Sequence, residues 1–176
     1  MFEEFIASKV GQVIHCVIAA AVRDGLNDDE TEGLLNRLWL EKPIGGTTAW
    51  QTRTRAHLAV SVYLRRLRPQ GWELLDAEMH LGTSVADLVW CRPDRFDPTT
   101  VFIDEVKTGR RPLDAPELAD QVHRLSADGH RIWGSAFVGV RVAQTMVSSR
   151  SRFWHSDGTL LSPADGPALN NKAETA

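Results

Sequence analysis

The residues best suited to chemistry lie on two short apolar runs. Val101-Phe102-Ile103-Asp104-Glu105-Val106-Lys107-Thr108-Gly109 reads as a buried strand that carries a carboxylate and an ammonium group. Glu105 and Lys107 are two residues apart, so on a strand they share a face, and Asp104 lies on the other. Opposite charges on an apolar strand are paired, bound to metal or used in chemistry. The chain has four lysines, at 9, 42, 107 and 172, and Lys107 is the one inside a strand pattern. In the preceding run, Ser84-Val85-Ala86-Asp87-Leu88-Val89-Trp90, Asp87 sits between apolar neighbours. If the two runs form a hairpin, Asp87 approaches Glu105. Two carboxylates in a half-buried site repel each other, and a divalent cation relieves that repulsion. Oxygen ligands favour Mg²⁺ or Mn²⁺ over zinc. A lysine beside such an ion can hold or help deprotonate an attacking water, or stabilise charge building on a phosphate.

The elements that must position these groups can be read from hydrophobic period and turn residues. Residues 2–25 carry Phe2, Phe5, Ile6, Val10, Val13, Ile14, Val17, Ile18 and Ala21 at helical spacing. Gly25-Leu26-Asn27-Asp28 reads as a stop, a turn and a new N-cap. Further helices are expected over 29–41, before Pro43, and over 49–67, ended by Pro69-Gln70-Gly71. The period then changes. Strands are expected over 72–81, 84–91 and 100–107, followed by a helix over 115–127, a fourth strand over 132–142 and a fifth within 144–154. From Ser156 the composition turns to Ser, Pro, Asp, Asn and Ala, the signature of a flexible tail over 156–176. Helices followed by strand-strand-strand-helix-strand imply one α/β (α+β) domain over 1–155, mainly helical over 1–70 and built on a mixed sheet over 71–155.

Composition narrows the function classes. A length of 176 residues fits one domain, and 24% charged residues with 43% apolar ones is ordinary for a globular chain. No apolar run reaches the roughly 18 residues of a membrane-spanning helix. Two cysteines, Cys16 and Cys91, exclude a disulfide framework and a four-cysteine metal site, so a reducing, cytoplasmic setting is expected. The net charge of −3 gives no global attraction to nucleic acid, so binding there requires a local patch. Arg53, Arg55, Arg110 and Arg111 are candidates for such a patch, with a plain solvated face as the alternative.

Asp87 followed by Glu105-x-Lys107 resembles the motif of PD-(D/E)XK nucleases. Three further matches resemble the RecB-like exonuclease branch. Gly11-Gln12-Val13-Ile14-His15 is similar to its Gly-x-x-x-His on an N-terminal helix, Glu78 stands where it often has an acidic residue, and Gln121 matches the Gln of its Gln-x-x-x-Tyr motif. The resemblance spans roughly residues 5–142, and the order of all five elements carries it. It departs from the pattern in three places: Ala86 replaces the proline, Leu125 replaces the tyrosine, and the four clustered cysteines of the iron–sulfur variants are missing.

The resemblance implies a restriction-endonuclease-like core, with a mixed sheet of four to five strands flanked by helices. It implies that Asp87, Glu105 and the Val106 carbonyl hold Mg²⁺ or Mn²⁺, with His15 ligating or orienting the ion and Glu78 serving a second one. Lys107 would position the water, and Gln121 would contact DNA or orient Lys107. The expected activity is hydrolysis of DNA phosphodiester bonds, directed to ends or single strands, with RNA as the other substrate. Any helicase would be a separate protein. The rival expectation is a nuclease fold kept as a DNA-binding or assembly module without catalysis. Each residue also has an ordinary reading: Glu105 with Lys107 as an exposed edge pair, Asp87 as a turn cap, His15 as a core histidine, and Glu78 and Gln121 as surface positions.

Overall fold

The computed structural model describes residues 2–41, 49–92, 100–109, 112–113, 115–145, 150–157 and 159–161. Among the described residues, four α-helices accompany a six-stranded sheet. Helices α1 (Phe2–Asp24), α2 (Asp28–Glu41) and α3 (Ala49–Val62) come first, followed by strands β1 (Glu73–His80), β2 (Val85–Arg92) and β3 (Thr100–Lys107). Helix α4 (Pro116–Trp133) then leads to β4 (Phe137–Gln144), β5 (Arg150–His155) and the two-residue β6 (Leu160–Leu161). The strands lie in sequence order across the sheet, all neighbours antiparallel except β3 with β4. That single parallel pair requires a crossover, and α4 supplies it. The expected α+β architecture, a mixed sheet flanked by helices, is the one observed.

The helical face is built on α1. Val10, Val13, Ile14, Val17 and Ile18 form its apolar stripe and pack with Ala56, Ala59, Val60 and Tyr63 onto Leu88, Trp90, Phe102 and Val106 of the sheet. The opposite face carries α4, whose Leu118, Val122 and Leu125 cover Val89, Ile103, Val140 and Val142. Strands β2 and β3 are therefore buried on both sides, which is why they read as continuous apolar runs. Asn27 and Glu30 close the start of α2 reciprocally: each side chain bonds the other's backbone N–H at 2.9 Å.

Two boundaries and the form of one helix ending differ from the sequence reading. Helix α4 continues to Trp133, so Ile132 and Trp133 belong to it and not to a strand. It stops where Gly134 takes a φ of 56°, and one 3₁₀ turn leads into β4 at Phe137. The sequence reading ended this helix at 127, yet Asp128 and Gly129 are buried helical residues. Helix α3 closes as a π-turn over Tyr63–Leu67, with Arg68 N–H donating to the Tyr63 carbonyl at 2.8 Å. Finally, the sheet extends past 155, because Phe153 and Trp154 pair with Leu161 and Leu160. The rest of the expected flexible tail, 162–176, lies outside the described residues.

Candidate functional site

Asp87 lies near the start of β2, beyond the point where the ladder with β3 stops. The last register pair is Leu88 with Asp104. One residue further, side chains replace the missing backbone partners. The Val106 N–H donates to Asp87 Oδ2 at 2.7 Å, and the Val106 carbonyl oxygen lies 2.8 Å from His15 Nε2. His15 comes from the buried stripe of α1, one turn beyond Gly11. A Cβ at Gly11 would lie 3.4 Å from Thr108 Oγ1, a normal contact, so α1 runs alongside the end of β3.

The other imidazole nitrogen, His15 Nδ1, lies 3.1 Å from Asp87 Oδ1 and 4.0 Å from Glu78 Oε1. Both ring nitrogens thus face acceptors, which favours the imidazolium. Burial alone lowers the His15 pKa, but the Asp87 carboxylate, aided by Glu105 and Glu78, outweighs it and pushes it up to about 9. Glu78 sits on β1 with a φ of 53°, the one positive φ of a non-glycine among the described residues. That conformation costs of order 1–3 kcal/mol and clusters at sites where geometry is over-determined. Partial burial and the nearby Asp87 carboxylate push the Glu78 carboxyl up. One ligand atom each from His15, Glu78 and Asp87 lies within 4.8 Å of the other two.

Glu105 points to the α4 face. Its Oε1 accepts from Lys107 Nζ at 2.6 Å and from Gln121 Nε2 at 2.7 Å, while Gln121 Oε1 accepts from Lys107 Nζ at 2.8 Å. The three side chains close a triangle. Glu105 Oε2 is buried and has no hydrogen-bond partner among the described residues. Burial, then the Asp87 charge, push the Glu105 carboxyl up to about 7, against the opposing pull of Lys107. A buried oxygen without a partner beside a second carboxylate fits the chemistry of a hard cation.

The structure therefore sets the predicted residues in two groups at one end of the sheet: His15, Glu78 and Asp87 around the Val106 backbone, and Glu105, Lys107 and Gln121 against α4. The arginine patch is different. Arg53 is partly buried and its Nε donates to Asn36 Oδ1 at 3.1 Å, tying α3 to α2; Arg55 is exposed. Arg110 and Arg111 lie outside the described residues.

A second charged group was not read from the sequence. Asp104, on the opposite face of β3 from Glu105, is fully buried and bonds Arg141 Nε at 2.9 Å and the Tyr63 hydroxyl. Burial, with help from Asp104, pushes the Tyr63 hydroxyl pKa up, and the tyrosine remains a donor. Arg141 in the apolar run Phe137–Ala143 is the signal that could have flagged the group. Its partner follows only from the parallel register, in which Asp104 faces Arg141. Comparison with protein-family models and with curated proteins gives no match to this chain.

Proposed function

We propose that the chain is a Mg²⁺- or Mn²⁺-dependent nuclease of the PD-(D/E)XK type that hydrolyses phosphodiester bonds of DNA. The observation that carries this reading is Glu105: a buried carboxylate with one unpartnered oxygen, next to Asp87 and clamped to Lys107. Asp87, Glu105 and the Val106 carbonyl would hold the ion, with His15 and Glu78 at its side. The bound cation would supply charge neutralisation at the scissile phosphate and a lowered pKa for water.

The protein's own groups account for the rest. Lys107 Nζ, fixed by Glu105 and Gln121, presents an ammonium where a water or phosphate oxygen would sit. Gln121 keeps that ammonium from swinging away. His15 holds Asp87 in place and anchors the Val106 carbonyl. Calorimetry with Mn²⁺ should show a binding site that disappears in Asp87→Ala. A cleavage panel of linear, circular, single- and double-stranded DNA should show activity that Lys107→Ala loses by at least about 10²-fold. Absence of metal binding in the wild type would sink this reading.

One observation favours a second reading, a nuclease fold retained as a DNA-binding or assembly module. His15 already bridges Asp87 and the Val106 carbonyl, so these groups satisfy one another without an ion. DNA binding without cleavage of any nucleic acid, whether or not Mn²⁺ binds, would select it.

A further inference from the structure

A cavity of about 260 Å³ opens beside Lys107 and Gln121 and runs between the start of α4 and the chain that follows β3. Its two walls differ. Lys107 and Gln121 form the polar wall, shared with the site above, and Pro112, Leu113 and Leu118 form the apolar one, with Glu117 at the rim. Glu117, Leu118 and Gln121 are spaced at i, i+1 and i+4 on α4, which puts them on one side of the helix. The loop wall is tied down: Gly109 accepts from Gln144 Nε2 at 2.9 Å, and Ala115 N–H donates to the Pro112 carbonyl at 3.2 Å. Two other cavities lie between α2 and α3 and share no residue with the site.

We infer that this cavity is a subsite for one unpaired nucleoside next to the scissile phosphate, an inference that rests on the nuclease reading above. The volume lies just below the roughly 300–1,000 Å³ of sites that enclose drug-sized ligands, so it admits a single base with its sugar and not a base pair. An extruded or unpaired base is held between apolar surfaces, as Pro112, Leu113 and Leu118 provide. The Glu117 carboxylate accepts hydrogen bonds from sugar hydroxyls or an exocyclic amine and repels a second phosphate. The preferred substrate is thus a single strand or a frayed end whose nucleoside carries a free hydroxyl and whose bridging phosphate reaches Lys107.

The subsite can be read without any cleavage. Deoxyadenosine titrated into the full chain with Mg²⁺ present should shift the backbone amide NMR signals of Leu113, Glu117 and Gln121. Leu113→Trp fills the cavity and should abolish those shifts. In single-strand cleavage the same variant should raise KM about tenfold with little change in kcat, the pattern of lost uniform binding. Glu117 is exposed, so Glu117→Lys tests the inference without touching the core. The wild type should bind a deoxyadenosine monophosphate at least as well as the 3′,5′-bisphosphate, whose second phosphate meets Glu117, and the variant should reverse that order. No amide shifts, shifts that survive in Leu113→Trp, or an unchanged preference in Glu117→Lys overturn the subsite. Nucleoside binding with no cleavage of any substrate supports the cavity assignment and rejects the catalytic reading, so the two failures are distinct.

Discussion

The imidazole of His15 bonds the carbonyl oxygen of Val106 at 2.8 Å through Nε2 and reaches the Asp87 carboxylate at 3.1 Å through Nδ1. A helix near one end of the chain is thereby pinned to the end of a central strand 91 residues later. In this arrangement a proton on the imidazole does what a cation would do: it offsets the charge of Asp87 and Glu78.

Metal affinity should therefore be proton-linked. With the His15 pKa raised to about 9, the ring is charged at neutral pH and must lose a proton to accept or tolerate an ion. Mn²⁺ affinity should rise with pH up to about 9. Calorimetry at pH 7 in buffers of different ionisation enthalpy should show proton release on binding. The stability of the metal-free protein should move the other way. The folded pKa lies above the ordinary 6.5, so the contribution of His15 is fully present below that value and is lost as pH rises through about 9. A metal affinity flat between pH 6 and 9 would contradict the linkage.

Glu105 gives a second window. Its folded pKa near 7 lies above the ordinary 4.5, so the fold binds the protonated form better. Its share of metal-free stability should fall as pH rises from 4.5 to about 7, the reverse of a salt-bridged carboxylate. Glu105→Gln removes that titration, so its urea-unfolding free energy should vary less with pH over this range. The same variant should lose Mn²⁺ affinity about 10²-fold, comparable to loss of a metal-site partner. Saturating Mn²⁺ should raise the wild-type Tm most above pH 7 and leave the variant's unchanged. An equal pH slope in both proteins would count against the buried carboxylate.

The buried pair of Asp104 and Arg141 should respond asymmetrically to mutation. Asp104→Ala leaves the Arg141 guanidinium buried without its carboxylate, and breaking such a pair costs about 3–5 kcal/mol. Asp104→Leu combined with Arg141→Met replaces both charges by apolar groups and should recover most of that loss. Urea unfolding of the two single variants and the double variant measures the coupling. Additive losses would show that the pair is not a unit.

Gly129 is a position where helix propensity and packing oppose each other. Alanine in a helix interior gains about 1 kcal/mol over glycine. A Cβ at Gly129, however, would fall 2.5 Å from the Phe137 ring, which is itself buried. Overpacking of this kind costs typically 1–3 kcal/mol. Gly129→Ala should be net destabilising, with Phe137→Leu partly restoring stability in the double variant. A more stable Gly129→Ala protein would mean that the ring can move aside.

The same glycine shows why the sequence was legible in part. The change from helical to strand period after Gly71, the apolar runs of β2 and β3 and the face shared by Glu105 and Lys107 are local properties, and they placed most elements and the two charged strand positions. What could not be read depended on packing between distant elements. The continuation of α4 through Gly129 was one such case, because nothing local shows that the Phe137 ring packs where a side chain would stand. Arg141 stood out in an apolar strand, but only the parallel register reveals that Asp104 is its partner. His15 could be placed on the buried face of α1, but its contact with Val106 depends on how α1 crosses the end of β3. The closed triangle of Glu105, Lys107 and Gln121 required knowing which turn of α4 crosses the end of β3.

The site draws on α1, β1, β2, β3 and α4, and its central strand pairs in parallel with one that follows a whole helix later. No contiguous fragment of the chain holds it. Contacts of such long sequence separation form late and slowly, because loop closure precedes any gain from them. During synthesis the carboxylates therefore remain apart, and a partial chain does not assemble the site. The site is complete only when these five elements have come together, and a single proteolytic cut between Glu78 and Gln121 that lets the strands part should dismantle it.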